Sequence, residues 1–334
     1  MAKPAKLSIL LLISVLVMSA YAAAQAPNPK SASQPQTKHE YDPAIEVPLE
    51  IGCGRAVFIH GKMNDTPALT FLIDSGGGSS YILDLARARF FRLEPYRRYR
   101  LEGGGQDYSA AFSTAGVPIE LPGVTLRPSK IVVADLAWLS KRCGMQIDGI
   151  IGYDLFRTYA VEISYSKKML RLHDSNFQYG GQGDRLPLTE DRDHILCVPA
   201  QLELSSDPPV DLRLVVDTGA IVPIALTREF VEKHQLMHKL KRDSSGGRVQ
   251  GMGGKSHISV AEAKSLKLGN FLFRDLKIGL SRDHSGGLAE GNYDGIMGAA
   301  MLSKFDLIFD LEHRQLILES NFAVAKSGAS SGTQ

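Results

Sequence analysis

Two aspartates stand in the same local sequence, each at the end of an apolar run and each followed by a hydroxyl residue and a glycine. The copies are Phe71-Leu72-Ile73-Asp74-Ser75-Gly76 and Leu214-Val215-Val216-Asp217-Thr218-Gly219. A carboxylate at the end of a buried strand is costly unless something uses it. Two carboxylates within hydrogen-bond reach share one proton, so that the ionised one can deprotonate water and the protonated one can polarise a carbonyl. The pattern predicts hydrolysis with water as the nucleophile.

The repetition extends well beyond the aspartates. Gly149-Ile150-Ile151-Gly152 aligns without a gap with Gly295-Ile296-Met297-Gly298, and the apolar positions that follow keep the same offset. Ten residues after each aspartate, Asp84 and Thr227 are of the type that caps a helix, and they predict helices from Leu85 to Leu93 and from Arg228 to Leu236. The chain therefore consists of two similar halves. A duplicated structural domain without a ligand is an alternative, but it leaves the paired aspartates unexplained.

The segments between the glycines are short, apolar and bounded by Gly, Pro, Asn or Asp, which is typical of strands. Further helices are predicted only at Tyr153–Thr158 and Ala299–Lys304. The sequence predicts an all-β protein of two similar lobes with a cleft between them. The predicted strands are Val57–Ile59, Thr70–Ile73, Ile131–Ala134, Val161–Ile163, Leu170–Leu172, Val198–Leu204, Leu212–Val216, His257–Ala261, Leu276–Leu280, Leu307–Phe309 and Leu316–Leu318.

These paired motifs resemble those of the aspartic peptidase clan, which includes pepsins and retroviral proteases. A bacterial-type exported enzyme with two retropepsin-like β-barrel halves in one chain fits best. The resemblance covers most of residues 45–320, and two matched motif pairs are far more specific than one Asp-Thr-Gly string. The residues that carry it are Asp74, Ser75 and Gly76 with Ile150, Ile151 and Gly152, and Asp217, Thr218 and Gly219 with Ile296, Met297 and Gly298.

The resemblance implies an endopeptidase that needs no cofactor and no metal, with Asp74 and Asp217 as its catalytic dyad. The hydroxyls of Ser75 and Thr218 would hydrogen-bond across the two lobes. Two glycine-rich hairpins would be the flaps that cover the cleft, since glycine permits the turns and excursions of a lid. The flap residues are Gly103, Gly104 and Gly105 in the first half and Gly251, Met252, Gly253 and Gly254 in the second. Ordinary surface hairpins are the alternative for these segments.

One residue departs from the family pattern. Gly77 follows Asp74-Ser75-Gly76, where the family usually has Ala, Ser or Thr, so a possible hydroxyl partner of the carboxylate is lost. This departure favours a second interpretation, a pepsin-like peptide-binding module that has lost catalysis. Both intact aspartates favour the enzyme.

Several other residues are weaker candidates for chemistry. His234 and His238 could share a helical face, but no third metal ligand is evident, so a solvated face is the simpler interpretation. Asp148 and Asp294 precede the glycine motifs and are expected to form turns rather than to act as acids. An arginine cluster is expected to be a solvated helix face or a docking surface for an acidic partner. Its members are Arg87, Arg89, Arg92, Arg97, Arg98 and Arg100.

The N-terminus predicts export to the periplasm or secretion. Residues 1–24 have two early lysines, an apolar run of about 13 residues and small residues at the end, as in a signal peptide. Retention as an anchor is the alternative. Removal of the segment leaves 36 basic and 36 acidic residues, so nucleic acid is not an expected partner. The three cysteines, Cys53, Cys143 and Cys197, allow at most one internal disulfide, and the sequence does not show which pair forms it.

The predicted organisation has a signal peptide, two lobes and three connecting or terminal segments. A monomer that acts on a peptide or protein substrate is expected, without a membrane span after signal cleavage; pairing of whole chains is the alternative. The ranges are signal peptide 1–24, tether 25–44, N-terminal lobe 45–173, linker 174–187, C-terminal lobe 188–322 and tail 323–334.

Overall fold

The computed structural model describes residues 5–8, 12–15, 44–78, 81–174, 176–204, 208–241, 247–289 and 291–321. The predicted tail and all of the predicted tether except Ala44 lie outside these residues. Within residues 1–24, two short strands are described, β1 (Ala5–Ser8) and β2 (Leu12–Val15).

The first half is built from short strands and three short helices. Asp84 caps α1, because its side chain accepts a hydrogen bond from the Ala86 N–H at 2.9 Å. The elements are β3 (Ile45–Ile51), a 3-10 turn (Cys53–Arg55), β4 (Val57–Gly61), β5 (Leu69–Ile73), β6 (Tyr81–Asp84), α1 (Leu85–Phe90), β7 (Arg97–Glu102), β8 (Tyr108–Ala115), β9 (Ile119–Leu121), β10 (Val124–Leu126), β11 (Lys130–Ala134), α2 (Ala137–Cys143), β12 (Gly149–Ile151), α3 (Tyr153–Thr158), β13 (Ala160–Ser164) and β14 (Met169–His173).

The second half repeats this plan with longer hairpins. Thr227 caps α4 through its hydroxyl, which accepts from the Phe230 N–H at 3.3 Å. The elements are β15 (Asp184–Pro187), β16 (Thr189–Glu190), β17 (Leu196–Glu203), β18 (Val210–Asp217), β19 (Ile224–Leu226), α4 (Arg228–Lys233), α5 (Leu236–Lys239), β20 (Gly247–Gly251), β21 (Gly254–Leu268), β22 (Phe271–Ser281), β23 (Gly295–Gly298), α6 (Ala299–Leu302), β24 (Phe305–Asp310) and β25 (Gln315–Ser320).

The same arrangement of three neighbouring strands positions the aspartate in each half. In the first half, β12 lies between β5 and β6, parallel to β5 with Ile151 opposite Ile73. In the second half, β23 lies between β18 and β19, parallel to β18 with Gly298 opposite Asp217. Each apolar-apolar-Gly motif therefore runs beside the strand that delivers the aspartate of its own half.

The two halves share one sheet in which equivalent strands pair with each other. β13 and β24 are antiparallel, with Val161 opposite Phe309 and Ile163 opposite Leu307. In this part of the chain, residues in equivalent positions of the two halves are 146 apart, so each of these pairs exchanges with the other under a two-fold rotation. The pairing of the halves is therefore isologous within a single chain.

The all-β fold of two similar lobes is confirmed. The helix over Tyr153–Thr158 has the predicted bounds, whereas the helix after Arg228 is shorter than predicted, because His234 ends α4 and Gln235 has a left-handed backbone (φ 55°). Helix α2 was not predicted. The segment predicted as a linker contains strand β15, which pairs with β25.

Cys53 and Cys143 form a disulfide within the first half, and Cys197 is a buried free thiol. None of the helices within the described ranges is long and apolar enough to cross a membrane.

Candidate active site

Asp74 and Asp217 lie side by side at the centre of the molecule, and both are almost completely buried. Their closeness depends on Gly76, because a Cβ atom at this position would lie 2.2 Å from Cγ of Asp217. Any side chain at Gly76 would therefore push the second carboxylate away. The two aspartates predicted from the repeat thus occupy one site.

Ser75 and Thr218 join the two halves directly beneath this site. The Ser75 hydroxyl donates to the Val216 carbonyl at 2.7 Å and accepts from the Thr218 N–H at 3.1 Å. The Thr218 hydroxyl donates to the Ile73 carbonyl at 2.8 Å and accepts from the Ser75 N–H at 3.1 Å. Four buried hydrogen bonds therefore fix the position of one aspartate strand relative to the other.

Each carboxylate has one oxygen held by main-chain N–H groups, and the two carboxyl groups also interact with each other. Oδ1 of Asp74 accepts from the Gly76 N–H at 2.9 Å. Oδ1 of Asp217 accepts from the Gly219 N–H at 2.9 Å and from the Ala220 N–H at 2.8 Å. Oδ2 of each aspartate is buried without a hydrogen-bond partner among the described residues. Buried polar atoms of this kind are rare and are the natural place for a bound water or substrate group.

The two carboxyl groups have different proton affinities. Burial raises the pKa of Asp74 to about 6, although the N–H groups of Gly76 and Gly77 act in the opposite direction. Burial, and after it the negative charge of Asp74, raise the pKa of Asp217 well above its ordinary value. Because the negative charge of Asp74 contributes to this shift, Asp217 keeps its proton to a higher pH than Asp74 does. Such a pair combines a base with an acid at one site.

Gly77 therefore does not remove all support from Asp74. Its main-chain N–H stabilises the charged form of this carboxylate, and a glycine provides that group as well as any other residue would. The departure from the family pattern lies only in the missing hydroxyl.

The apolar-apolar-Gly motifs hold the aspartate loops through main-chain contacts. The Asp74 N–H donates to the Ile151 carbonyl at 3.0 Å, and the Gly298 N–H donates to the Pro223 carbonyl at 3.1 Å. Ile150, Ile151, Ile296 and Met297 are buried, so their side chains belong to the core rather than to the surface of the cleft.

The two predicted flaps meet at their tips. The Gly105 N–H donates to the Met252 carbonyl at 2.9 Å, and the Gly253 N–H donates to the Ser109 hydroxyl at 3.1 Å. The Ser256 hydroxyl donates to the Gly104 carbonyl. Gly103 takes part through its carbonyl, which accepts from Gly287, whereas Gly251 and Gly254 face each other across the second hairpin.

Met252 connects the flap of the second half to the core around the dyad. It is fully buried and packs in one apolar cluster with Ile150 and with Ile221, which follows Asp217 by four residues. The flaps therefore form a closed arch that is in contact with the dyad loops.

The weaker candidates do not join this site. Asp148 accepts from the Thr70 N–H at 2.8 Å and pairs with Arg87 at 2.6 Å, and Asp294 accepts from the Arg213 N–H at 2.7 Å. These two aspartates bind the strands that carry the dyad, not the nearby turns as predicted. His234 and His238 lie on either side of the break at Gln235, and the described ranges contain no cluster of three or more His, Cys, Asp or Glu side chains that could hold a metal.

Sequence reasoning missed the residues that join the flaps. Ser109 and Ser256 had no recognisable signal, because single serines near a glycine turn are common. The Arg87 side chain was placed in a solvated cluster although it pairs with Asp148. The sequence contains one signal for the contact between Arg87 and Asp148: Asp148 and Asp294 occupy matching positions before the two glycine motifs.

Comparison with known proteins gives a fold-level result only. No protein-family model and no curated protein matches the chain. Among solved structures, conglutin gamma, a basic 7S globulin from lupine seeds, is similar with a TM-score of 0.49 and 11% identity over 83% of this chain and 95% of that chain. Basic 7S globulin from soybean is similar with a TM-score of 0.46 and 11% identity over 83% of this chain and 94% of that chain.

Proposed function

We propose that the chain is an aspartic endopeptidase whose dyad is Asp74 and Asp217. The observation that carries this proposal is the pair of adjacent buried carboxylates, each with an unpartnered Oδ2, held by the reciprocal hydrogen bonds of Ser75 and Thr218. A purely structural site would have no reason to keep two acidic groups in this costly environment.

The residues of the chain supply each part of the reaction. Asp74 is ionised and removes a proton from a water bound between the two carboxyl groups, and the oxygen of this water attacks the carbonyl carbon of the scissile peptide to form a tetrahedral intermediate. Asp217 is protonated and donates a hydrogen bond to the carbonyl oxygen of the scissile peptide, where negative charge develops. When the tetrahedral intermediate collapses, the proton taken up by Asp74 passes to the leaving amine, and the dyad returns to its singly protonated state.

The second candidate function is a pepsin-like peptide-binding module without catalysis. Gly77, at the position of a usual hydroxyl, is the observation that favours it.

The test uses the protein recovered after export of the full-length chain. It is incubated with a mixed peptide library from pH 3 to 9, and cleavage is read by mass spectrometry. The variants Asp74→Asn and Asp217→Asn should abolish cleavage. Asp294→Asn is the matched control, because its amide can still accept from the Arg213 N–H. Peptide binding without cleavage by the folded wild type would support the binding module, and cleavage that survives both dyad substitutions would exclude the proposed mechanism.

A further inference from the structure

A groove rich in arginine and tyrosine lies on the outer side of the first flap. It has a volume of about 1140 Å³ and is lined mainly by β7, β8 and the end of β11. Tyr96 and Tyr108 are exposed to 89% and 47%, which is unusual for large aromatic side chains. Among the residues that line the groove, Asp135 is the single carboxylate, whereas three arginines, Arg97, Arg98 and Arg100, face it.

Two of these arginines, Arg97 and Arg100, are held in place by tyrosine rings without being neutralised. The guanidinium of Arg100 lies 4.4 Å from the ring centre of Tyr108, and that of Arg97 lies 5.5 Å from the ring centre of Tyr99. Such contacts orient a guanidinium while its hydrogen-bond donors stay available. Within the described ranges, none of the three arginines forms an ion pair with a carboxylate. The groove is therefore a preformed site for negative charge.

The strand that carries the arginines also accepts an extended polypeptide. β1 pairs in parallel with β7, with Ala5 opposite Tyr99 and Ser8 opposite Glu102. β2 pairs in antiparallel fashion with β20, with Leu12 opposite the flap residue Gly251. An extended chain can therefore run along β7 towards the first flap tip and then away along β20. If residues 1–24 are removed on export, both edges become available to another peptide.

The direction of this pairing places the arginines upstream of the dyad. Because β1 and β7 are parallel, the N-terminal part of the paired chain lies beside Tyr99 and Arg100, and its C-terminal part lies at Glu102, next to the flap tip. At about 3.3 Å per residue, Arg97 to Arg100 correspond to positions roughly four to eight residues before the point where the chain passes the flap tips.

We infer that the groove formed by Tyr96, Arg97, Arg98, Arg100 and Tyr108 is an exosite for an acidic segment of the polypeptide substrate, on the N-terminal side of the bond to be cut. That the bound polypeptide is a substrate rests on the proposed function, whereas its binding to the groove does not. A polypeptide is favoured over other polyanions because the edge of β7 pairs with a peptide backbone. The acidic side chains reach the guanidinium groups, which bind carboxylates with two parallel hydrogen bonds.

The experiment measures binding and cleavage separately. Two fluorescent peptides share one fixed apolar core, and carry either four Glu or four Gln at the upstream positions. Anisotropy gives Kd for the exported protein and for its Asp217→Asn form, and the wild type also gives kcat and KM. We expect the Glu peptide to bind about tenfold more tightly than the Gln peptide at 0.05 M salt. Its Kd and KM should be lower, while kcat should be the same. Most of this advantage should be lost at 0.5 M salt.

Two charge variants and one further ligand decide the origin of this preference. The triple variant R97Q/R98Q/R100Q should bind both peptides equally. The control R127Q/K130Q/R274Q removes the same charge from exposed positions elsewhere and should keep the preference. Thermal unfolding establishes that both are folded. Equal binding by the wild type, or a preference that survives the triple variant, would overturn the inference.

The remaining outcomes separate the exosite from the peptidase and from a lipid site. A tenfold binding preference without cleavage would support the exosite and count against the peptidase, whereas cleavage without preference would do the reverse. Vesicles that contain phosphatidylglycerol serve as the competing anion. Binding to them that depends on the three arginines, without a preference for the Glu peptide, would overturn the inference in favour of a lipid surface.

Discussion

The hydroxyls of Ser75 and Thr218 are each a donor to the main chain of the opposite half and an acceptor from it. The donor bonds reach the Val216 and Ile73 carbonyls, which occupy equivalent positions in the two halves. This reciprocity means that the loss of either hydroxyl leaves an N–H and a carbonyl of the opposite half without their partner.

Thr218→Val keeps the shape of the side chain and removes its hydroxyl. The buried Ser75 N–H and Ile73 carbonyl then lose their partners, so we expect the free energy of unfolding to fall by about 2–4 kcal/mol. Misplacement of the dyad should lower kcat by a factor on the order of 100. Urea denaturation and steady-state kinetics measure both effects. Thr218→Ser is the control and should stay close to the wild type, and an unchanged kcat in Thr218→Val would show that the contact does not position the dyad.

The pH dependence of cleavage should follow the pKa values of the dyad. Below about pH 6 Asp74 takes up a proton and the base is lost. At a higher pH Asp217 loses its proton and the acid is lost. We therefore expect kcat/KM to rise through about pH 6 and to fall again at the higher pH where Asp217 ionises, as measured from pH 3 to 10. A maximum below pH 4 would show that Asp74 ionises far more easily than its burial implies.

The contribution of Asp74 to the stability of the fold should fall as the pH rises. The contribution of a salt-bridged aspartate changes in the opposite direction. The pKa of Asp74 is raised from 3.8 to about 6 in the folded state. The resulting contribution to stability is full below pH 4 and is lost as the pH rises through 6. We therefore expect Asp74→Asn to raise the free energy of unfolding at pH 8 by roughly 2–3 kcal/mol and to leave it nearly unchanged at pH 4.

Urea denaturation at these two pH values tests this expectation. Asp294→Asn is again the control and should show no such gain at pH 8. Equal effects of Asp74→Asn at both pH values would contradict the raised pKa.

Closure of the flaps depends on Gly253. Its φ is +79°, and a Cβ atom there would lie 2.2 Å from the Asp107 carbonyl oxygen of the other flap. Gly253→Ala should therefore separate the tips and raise KM by about tenfold, which corresponds to about 1.4 kcal/mol. Gly180→Ala is the matched control, because nothing lies within 4 Å of a Cβ at that position. Peptide kinetics give KM, and an unchanged value would show that tip contact does not contribute to substrate binding.

The parts of the molecule that sequence predicted best are those whose signals are local. Asp74 and Asp217 end apolar strands, and a glycine motif follows each of them at a similar distance, with Ile151 77 residues after Asp74 and Met297 80 residues after Asp217. Strand β7 was not predicted because Arg97, Arg98 and Arg100 hide its alternation. Helix α2 was missed because Leu136, at its N-terminus, offers no capping side chain.

Contacts between distant segments were the part that sequence could not provide. Cys53 and Cys143 are 90 residues apart, and only the fold brings their Cα atoms to 5.1 Å. The bonds between Ser75 and Thr218 followed from the family resemblance and from no property of either segment. The contact of Ser256 with Gly104 depends on the lengths of two hairpins, which a single sequence does not define.

The isologous pairing of β13 with β24 has a consequence for how the molecule comes together. If the two halves were separate subunits, the fraction that is paired would depend on their concentration. Dilution would then dissociate them and separate the two aspartates. In one chain the two partners are tethered, so assembly becomes part of folding and is independent of dilution. The two carboxylates therefore stay paired however far the protein is diluted. Because the two halves belong to one chain, their sequences need not be identical, and Gly77 and Ala220 differ at equivalent positions.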